Sequence, residues 1–131
     1  MMIRECRIED LKPMEKMSST SLKSFLPQEY FKKNLKNILV AVKSGMTVGF
    51  IVFKNENVLN IVVHPDFRRR GIGRSLIEEV IKKFKRVRLR TRENNRDAIN
   101  FLKKLGFSKR RIIKEYYSDG ENAIEWEIYS K

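Results

Sequence analysis

The sequence predicts a mixed α/β fold, a central sheet with helices on both faces. Three observations carry that prediction. Segments with the period-two alternation of strands and segments with helical spacing of apolar residues follow one another along the 131 residues. Val58, Leu59, Ile61, Val62 and Val63 make a nearly continuous apolar run, the pattern of a strand covered on both faces. Arg86-Val87-Arg88-Leu89-Arg90-Thr91-Arg92 alternates strictly, placing Val87, Leu89 and Thr91 on one face and four arginines on the other. The length fits one domain, residues 1–131, with a single core.

Taken in order, residues 2–8 alternate and predict a first strand. Residues 10–17 and 22–35 predict two helices; Ser18-Ser19-Thr20-Ser21 supplies turn and N-cap residues between them, and Pro27 implies a break or a first-turn position in the second. Residues 38–42 and 48–53 predict an antiparallel hairpin around Gly45, and Asn55-Glu56-Asn57 turns the chain into the strand 58–63, which ends at Pro65. Leu76, Ile77, Val80, Ile81 and Phe84 define an amphipathic helix over 71–85. The arginine strand follows. Ala98, Phe101, Leu102 and Leu105 give another helix, stopped by Gly106 in a C-cap position. Strands over 107–117 and 122–130 close the chain around the turn Ser118-Asp119-Gly120-Glu121, and Trp126 is expected in the core.

Composition narrows the function. The apolar share of 41% is ordinary for a soluble protein, and no run approaches the roughly 20 apolar residues that span a bilayer. The start of the chain lacks the apolar core of a secretory signal, which predicts a cytoplasmic protein. A lone Cys6 and a lone His64 argue against a disulfide or a metal centre; Cys6 is expected as a small buried hydrophobe. The net charge is +13, and eleven of the 29 Lys and Arg fall within 68–92 against Glu78 and Glu79. Such a concentration favours a polyanionic partner: a nucleic acid, an anionic membrane surface or a phosphate-rich small molecule.

The strand ending at Val63 runs through His64-Pro65-Asp66-Phe67 into a glycine-containing turn and directly into a helix. Gly71 and Gly73 have no side chain to block a ligand, so first-turn N–H groups can point at phosphate oxygens with the helix dipole behind them. Arg68, Arg69, Arg70 and Arg74 add full charges. The spacing Arg-x-x-Gly-x-Gly is shorter than the dinucleotide fingerprint and lacks the Gly-Lys-Ser/Thr ending of a P-loop. The run Val63-His64-Pro65-Asp66-Phe67-Arg68-Arg69-Arg70-Gly71-Ile72-Gly73-Arg74-Ser75-Leu76 closely resembles the acyl-CoA pyrophosphate loop of the GNAT superfamily of acetyltransferases. Asn95, Ala98, Ile99 and Lys104-Leu105-Gly106-Phe107 resemble its second signature, in the expected order.

The resemblance implies the family's mostly antiparallel sheet flanked by helices, acetyl-CoA as cosubstrate, and direct attack of an amine on the thioester in a ternary complex. It implies a V-shaped opening between strands 58–63 and 86–92. Pantetheine lies along Ile61, Val62 and Val63 by this analogy, and an N–H near Val63 receives the oxyanion. The cofactor-binding set is completed by Arg68, Arg69, Arg70, Gly71, Ile72, Gly73, Arg74 and Ser75 at the pyrophosphate, with Asn95 near the cofactor arm or a bridging water.

In motif and length the chain is most similar to the branch that acetylates protein N-termini, such as the ribosomal-protein alanine acetyltransferases. Alignment with that branch puts Leu102 where a tyrosine protonates the departing thiolate and Arg90 where a glutamate acts as base; neither replacement can move the proton. Tyr116 or Tyr117 is then expected as acid, and Glu56 or Glu93, through water, as base. The acceptor is a primary amine: a protein N-terminus, a lysine or a small molecule. Arg88, Arg90 and Arg92 favour an acidic peptide or protein there. Two other readings stand beside this one, a non-catalytic acyl-CoA-binding regulatory module and a basic nucleic-acid-binding protein on the same scaffold. Nucleic acid is disfavoured because no aromatic residues interleave between Arg86 and Arg92. Monomer and homodimer both remain open.

Overall fold

A computed structural model describes residues 1–21 and 26–130, with Thr20 and Ser21 described by their backbone alone. Seven strands, β1 (Met2–Glu5), β2 (Ile38–Lys43), β3 (Met46–Lys54), β4 (Asn57–Val63), β5 (Arg86–Arg92), β6 (Ser108–Ile113) and β7 (Ala123–Tyr129), form one sheet in the order β1-β2-β3-β4-β5-β7-β6. Every neighbouring pair is antiparallel except β4 and β5. The helices are α1 (Leu11–Ser21), α2 (Gln28–Lys33), α3 (Ile72–Phe84) and α4 (Arg96–Leu105). The mixed sheet and the order of elements match the expectation.

Two apolar layers follow from the alternation of the strands. Leu11, Met14 and Met17 of α1 and Phe31 of α2 pack with Val40, Phe50, Val52 and Val62 on one face. Ile72, Leu76, Ile77 and Val80 of α3, with Leu102 of α4, pack with Ile51, Val58, Val87, Leu89 and Trp126 on the other. The strand covered on both faces is β3, whose seven central residues are all buried, and not β4 as expected, where only Val58 and Val62 are buried because its other edge borders a gap in the sheet. Trp126 is buried as expected, and its indole N–H donates to Thr91 Oγ1 at 3.0 Å.

Several boundaries differ from those expected, each for a local reason. The first strand stops at Glu5 because Asp10, almost wholly buried, accepts from the Arg7 amide at 2.8 Å and from both Arg4 Nη groups, turning the chain into α1. Ser18 and Ser19 are not caps between helices: they lie inside α1, their hydroxyls donating to the carbonyls of Glu15 and Lys16. The helix expected over 22–35 is described only from Gln28, with Pro27 just before it, and residues 22–25 lie outside the described residues. The strand expected over 107–117 ends at Ile113, where Glu115 takes a left-handed φ of 52° and its amide donates to Asn122 Oδ1. A longer loop, 114–122, therefore joins β6 to β7.

The sheet divides between β4 and β5. Those strands share one paired position, Asn57 with Arg88, closed by the Arg88 amide donating to the Glu56 carbonyl at 2.9 Å. Immediately beyond it, β4 carries a bulge: Val52 faces Asn60 and Phe53 faces Val58, which leaves Leu59 as the extra residue. A bulge bends its strand and increases the local twist, so β4 turns away while β5 stays paired with β7 along its whole length. The result is a V-shaped gap that opens toward the C-terminal ends of both strands.

Candidate active site

At the open end of the gap, the chain leaves β4 through a 3-10 turn, Pro65–Phe67, and enters α3. His64 serves this turn, its Nδ1 accepting from the Asp66 amide at 3.1 Å. Arg69 (φ 64°) and Gly71 (φ 80°) both take left-handed backbone. Gly71 is the N-cap of α3 and offers no side-chain acceptor, so among the described residues no side chain caps the first amides of the helix. Arg68, Arg69, Arg70 and Arg74 stand exposed around them. This donor set fits a pyrophosphate.

The reasons for individual residues differ from those the sequence suggested. A Cβ on Gly73 would lie 2.9 Å from Phe101 Cζ, so this glycine admits α4 against α3 rather than leaving room for a ligand. Ile72 buries its side chain, which leaves only its amide for an anion. The Ser75 hydroxyl donates to the Gly71 carbonyl at 3.0 Å and belongs to its own helix. Asn95 is the N-cap of α4, its Oδ1 accepting from the Ala98 amide at 3.2 Å.

The register of β4 decides which backbone groups face the gap. His64 N–H donates to the Val48 carbonyl at 2.8 Å, making that a hydrogen-bonded pair. Two residues on, Phe50 with Val62 and Val52 with Asn60 repeat it. Val62 therefore spends its backbone on β3, a correction to its expected place beside pantetheine. The intervening residues Ile61 and Val63 turn their N–H and C=O groups to the gap edge, where the Val63 carbonyl accepts from Arg68 Nε at 3.3 Å.

Deeper in the gap lies a cavity of about 230 Å³, bounded by Val58 and Leu59 of β4, Arg88, Leu89 and Arg90 of β5, and Tyr116 and Tyr117 of loop 114–122. The arginines there are not free charges. On the sheet face opposite α3 and α4, Arg88 pairs with Glu127 at 3.0 Å, Arg90 with Glu125 at 3.1 Å, and Arg92 with Asp119 at 2.9 Å. Arg110 and Arg111 of β6 converge on the same Glu125. Burial pushes the Glu125 carboxyl up, but Arg111, Arg110 and Arg90 outweigh it and hold the group at about 2. These pairings remove the premise for an acidic acceptor and for a polyanion on this face.

The candidate proton carriers separate. Tyr116 Oη accepts from Arg90 Nη1 at 3.0 Å, and the two tyrosine rings meet edge to face, 5.0 Å apart. Burial raises the Tyr117 hydroxyl above its ordinary value. Glu56 sits at the closed end of the V, bound to Arg86 at 3.1 Å; a bond from its own amide and that guanidinium hold its carboxylate below the usual range. It is a poor base. Glu93 sits at the outer end of β5, bonded to Asn122. Leu102 is buried in the core and reaches no substrate. Glu125 is the residue that sequence reasoning missed, although Glu125 and Glu127 alternate with the same period as the arginines they neutralise.

Comparison with known proteins matches residues 34–109 to the acetyltransferase (GNAT) domain, a segment holding β4, the arginine-glycine loop, α3, β5 and α4. The chain belongs to the GNAT acetyltransferase family. It is 31% identical to an N-alpha-acetyltransferase of Sulfurisphaera tokodaii, over 92% of this chain and 88% of that protein. The crystal structure of Ard1 from Thermoplasma volcanium superposes with a TM-score of 0.89 at 28% identity, over 99% of this chain and 97% of that one. The ribosomal-protein-S18-alanine N-acetyltransferase of Escherichia coli superposes with a TM-score of 0.84 at 25% identity, over 99% and 94%. As a GNAT enzyme, the protein is an N-acetyltransferase with acetyl-CoA as cosubstrate. Among the described residues no helix is long and apolar enough to cross a membrane.

Proposed function

We propose that this acetyltransferase acylates the α-amino group of peptide and protein N-termini, with Tyr116 as the proton donor to the departing thiolate. The observation that carries the reading is the gap itself. It exposes the strand-edge groups of Ile61 and Val63 beside the uncapped α3 amides at one end, and Leu59 with two tyrosines at the other. One end suits pantetheine and pyrophosphate, the other an acceptor with an apolar first side chain. The relatives named N-alpha-acetyltransferase support the choice of an α-amine.

The amine attacks the thioester carbonyl as C–N forms and C–S breaks, so the catalysis required is chiefly the positioning of two bound reactants. On this reading an edge N–H of Ile61 or Val63 receives the oxyanion. Arg90 donates to the Tyr116 oxygen, so that contact does not engage the phenolic O–H, which is the proton to be passed on. That proton goes to sulfur, and the proton lost by the amine returns to the tyrosine oxygen through water. Arg90, a cation beside that oxygen, stabilises the negative charge present between the two transfers. Incubation with acetyl-CoA and a peptide that carries both a free α-amine and a lysine tests the acceptor; the acetyl group is expected on the N-terminal nitrogen, and modification of the lysine alone refutes the reading. Y116F is expected to lower kcat by about 10² with acetyl-CoA affinity unchanged; an unchanged kcat removes Tyr116 from the mechanism.

A further inference from the structure

Among the described residues the arginines of β5 split into two kinds. Arg86 and Arg88 pair with Glu56 and Glu127, within the sheet and its adjoining turn. Arg90 and Arg92 reach out to loop 114–122. Arg90 donates to Tyr116 Oη and lies 4.9 Å from that ring's centroid. The Arg92 guanidinium lies 4.2 Å over the Tyr117 ring, donates to Asp119 at 2.9 Å and stands 3.5 Å from Glu121 Oε1, a buried oxygen with no hydrogen-bond partner. Residues two apart on a strand point the same way, so both guanidiniums meet the loop from one side.

The loop's other bonds are mostly its own. Tyr117 N–H donates to the Glu121 carbonyl, Gly120 N–H to the Tyr117 carbonyl, Glu121 N–H to Asp119 and Glu115 N–H to Asn122. Beyond the strands it joins, the contact with Glu93 and the two arginines tie it to the body. Below it the clamp has a stiff footing: Arg90 is fixed by Glu125, which is 4% exposed and also holds Arg110 and Arg111.

We infer that Arg90 and Arg92 are positioning residues for the acceptor: acting through Tyr116, Tyr117 and the loop carboxylates, they hold loop 114–122 as one wall of the gap. Acceptor binding then depends on them and acetyl-CoA binding does not, because Arg90 and Arg92 lie on the sheet face opposite α3, the helix whose first amides take the pyrophosphate. The arginine strand thereby acts as an internal clamp rather than a surface for polyanions. This rests on the proposed reading that the gap takes a peptide amine.

The test uses the whole chain as wild type, R92Q and R92K, with R90Q as a second position. Arg92 pairs with the exposed Asp119, whereas Arg90 pairs with the buried Glu125, which makes R92Q the variant expected to fold even if R90Q does not. Three quantities are read: acceptor KM and kcat with an N-terminal peptide, the Kd of acetyl-CoA by calorimetry, and amide hydrogen exchange at Tyr117 and Gly120. R92Q is expected to raise acceptor KM and both exchange rates about tenfold, with the acetyl-CoA Kd within about twofold and R92K intermediate. Unchanged exchange overturns the clamp. Faster exchange with unchanged acceptor KM, or an acetyl-CoA Kd weakened in parallel, overturns the positioning role. If no peptide is acetylated by the wild type, the proposed function fails, and the exchange result still decides the clamp.

Discussion

Glu125 carries more of this structure than its position between two apolar residues suggests. It sits on β7 between Ile124 and Trp126, which both enter the helix-side core, so its side chain must point to the opposite face. There its two oxygens take Arg90, Arg110 and Arg111. Its folded value of about 2 lies below the ordinary 4.5. The stabilisation is complete above pH 4.5 and is lost as pH falls toward 2; the size of the shift corresponds to about 3 kcal/mol. Urea unfolding followed from pH 6 to about pH 2 is expected to show this acid limb. E125Q is expected to cost about 3 kcal/mol at neutral pH, since it leaves the guanidiniums without their shared counter-charge, and to flatten the limb. A variant that unfolds with the wild-type pH dependence would place the acid-sensitive group elsewhere.

At the scale of the element, α3 and the turn that feeds it show what a sequence can and cannot disclose. Strand, glycine turn and helix are contiguous, so the glycine-capped, arginine-flanked start of α3 is legible from residues 63–76 alone. The two glycines are distinguished only by tertiary structure. Gly71 has open space around a built Cβ but a left-handed φ of 80°, whereas Gly73 has helical backbone and Phe101 against it. G71A is therefore expected to cost about 1 kcal/mol through backbone strain, and G73A about 1–3 kcal/mol through overpacking. G73A combined with F101L should recover part of that loss while G71A with F101L should not, as thermal melts of the four variants would show. Loss of equal size at both sites, with no recovery, would contradict this assignment. The bulge at Leu59 escaped sequence reasoning for a similar reason. It is a mismatch between two strands, and no single strand records it.

Across the whole molecule, the helix-flanked sheet, the core position of Trp126 and the turn from β4 into α3 were legible because they depend on periodicity and contiguous motifs. The disposition of charge was not. Arg90 and Glu125 are 35 residues apart and meet only through the antiparallel register of β5 and β7. Six guanidiniums, at 86, 88, 90, 92, 110 and 111, share five carboxylates, at 56, 119, 121, 125 and 127, so a face that looks strongly basic in sequence is nearly balanced. Among the described residues, Arg68, Arg69, Arg70 and Arg74 at the start of α3 pair with no carboxylate, and acetyl-CoA affinity is accordingly expected to weaken severalfold between about 0.05 and 0.5 M salt. Calorimetry that finds no salt dependence would contradict a charge-borne pyrophosphate site. Direct transfer requires both substrates to meet in one gap. Free-thiol release measured while acetyl-CoA and an N-terminal peptide are varied together should give intersecting double-reciprocal lines, the mark of a ternary complex. Thiol release no faster with peptide than without it, in a protein that binds acetyl-CoA, would contradict the account.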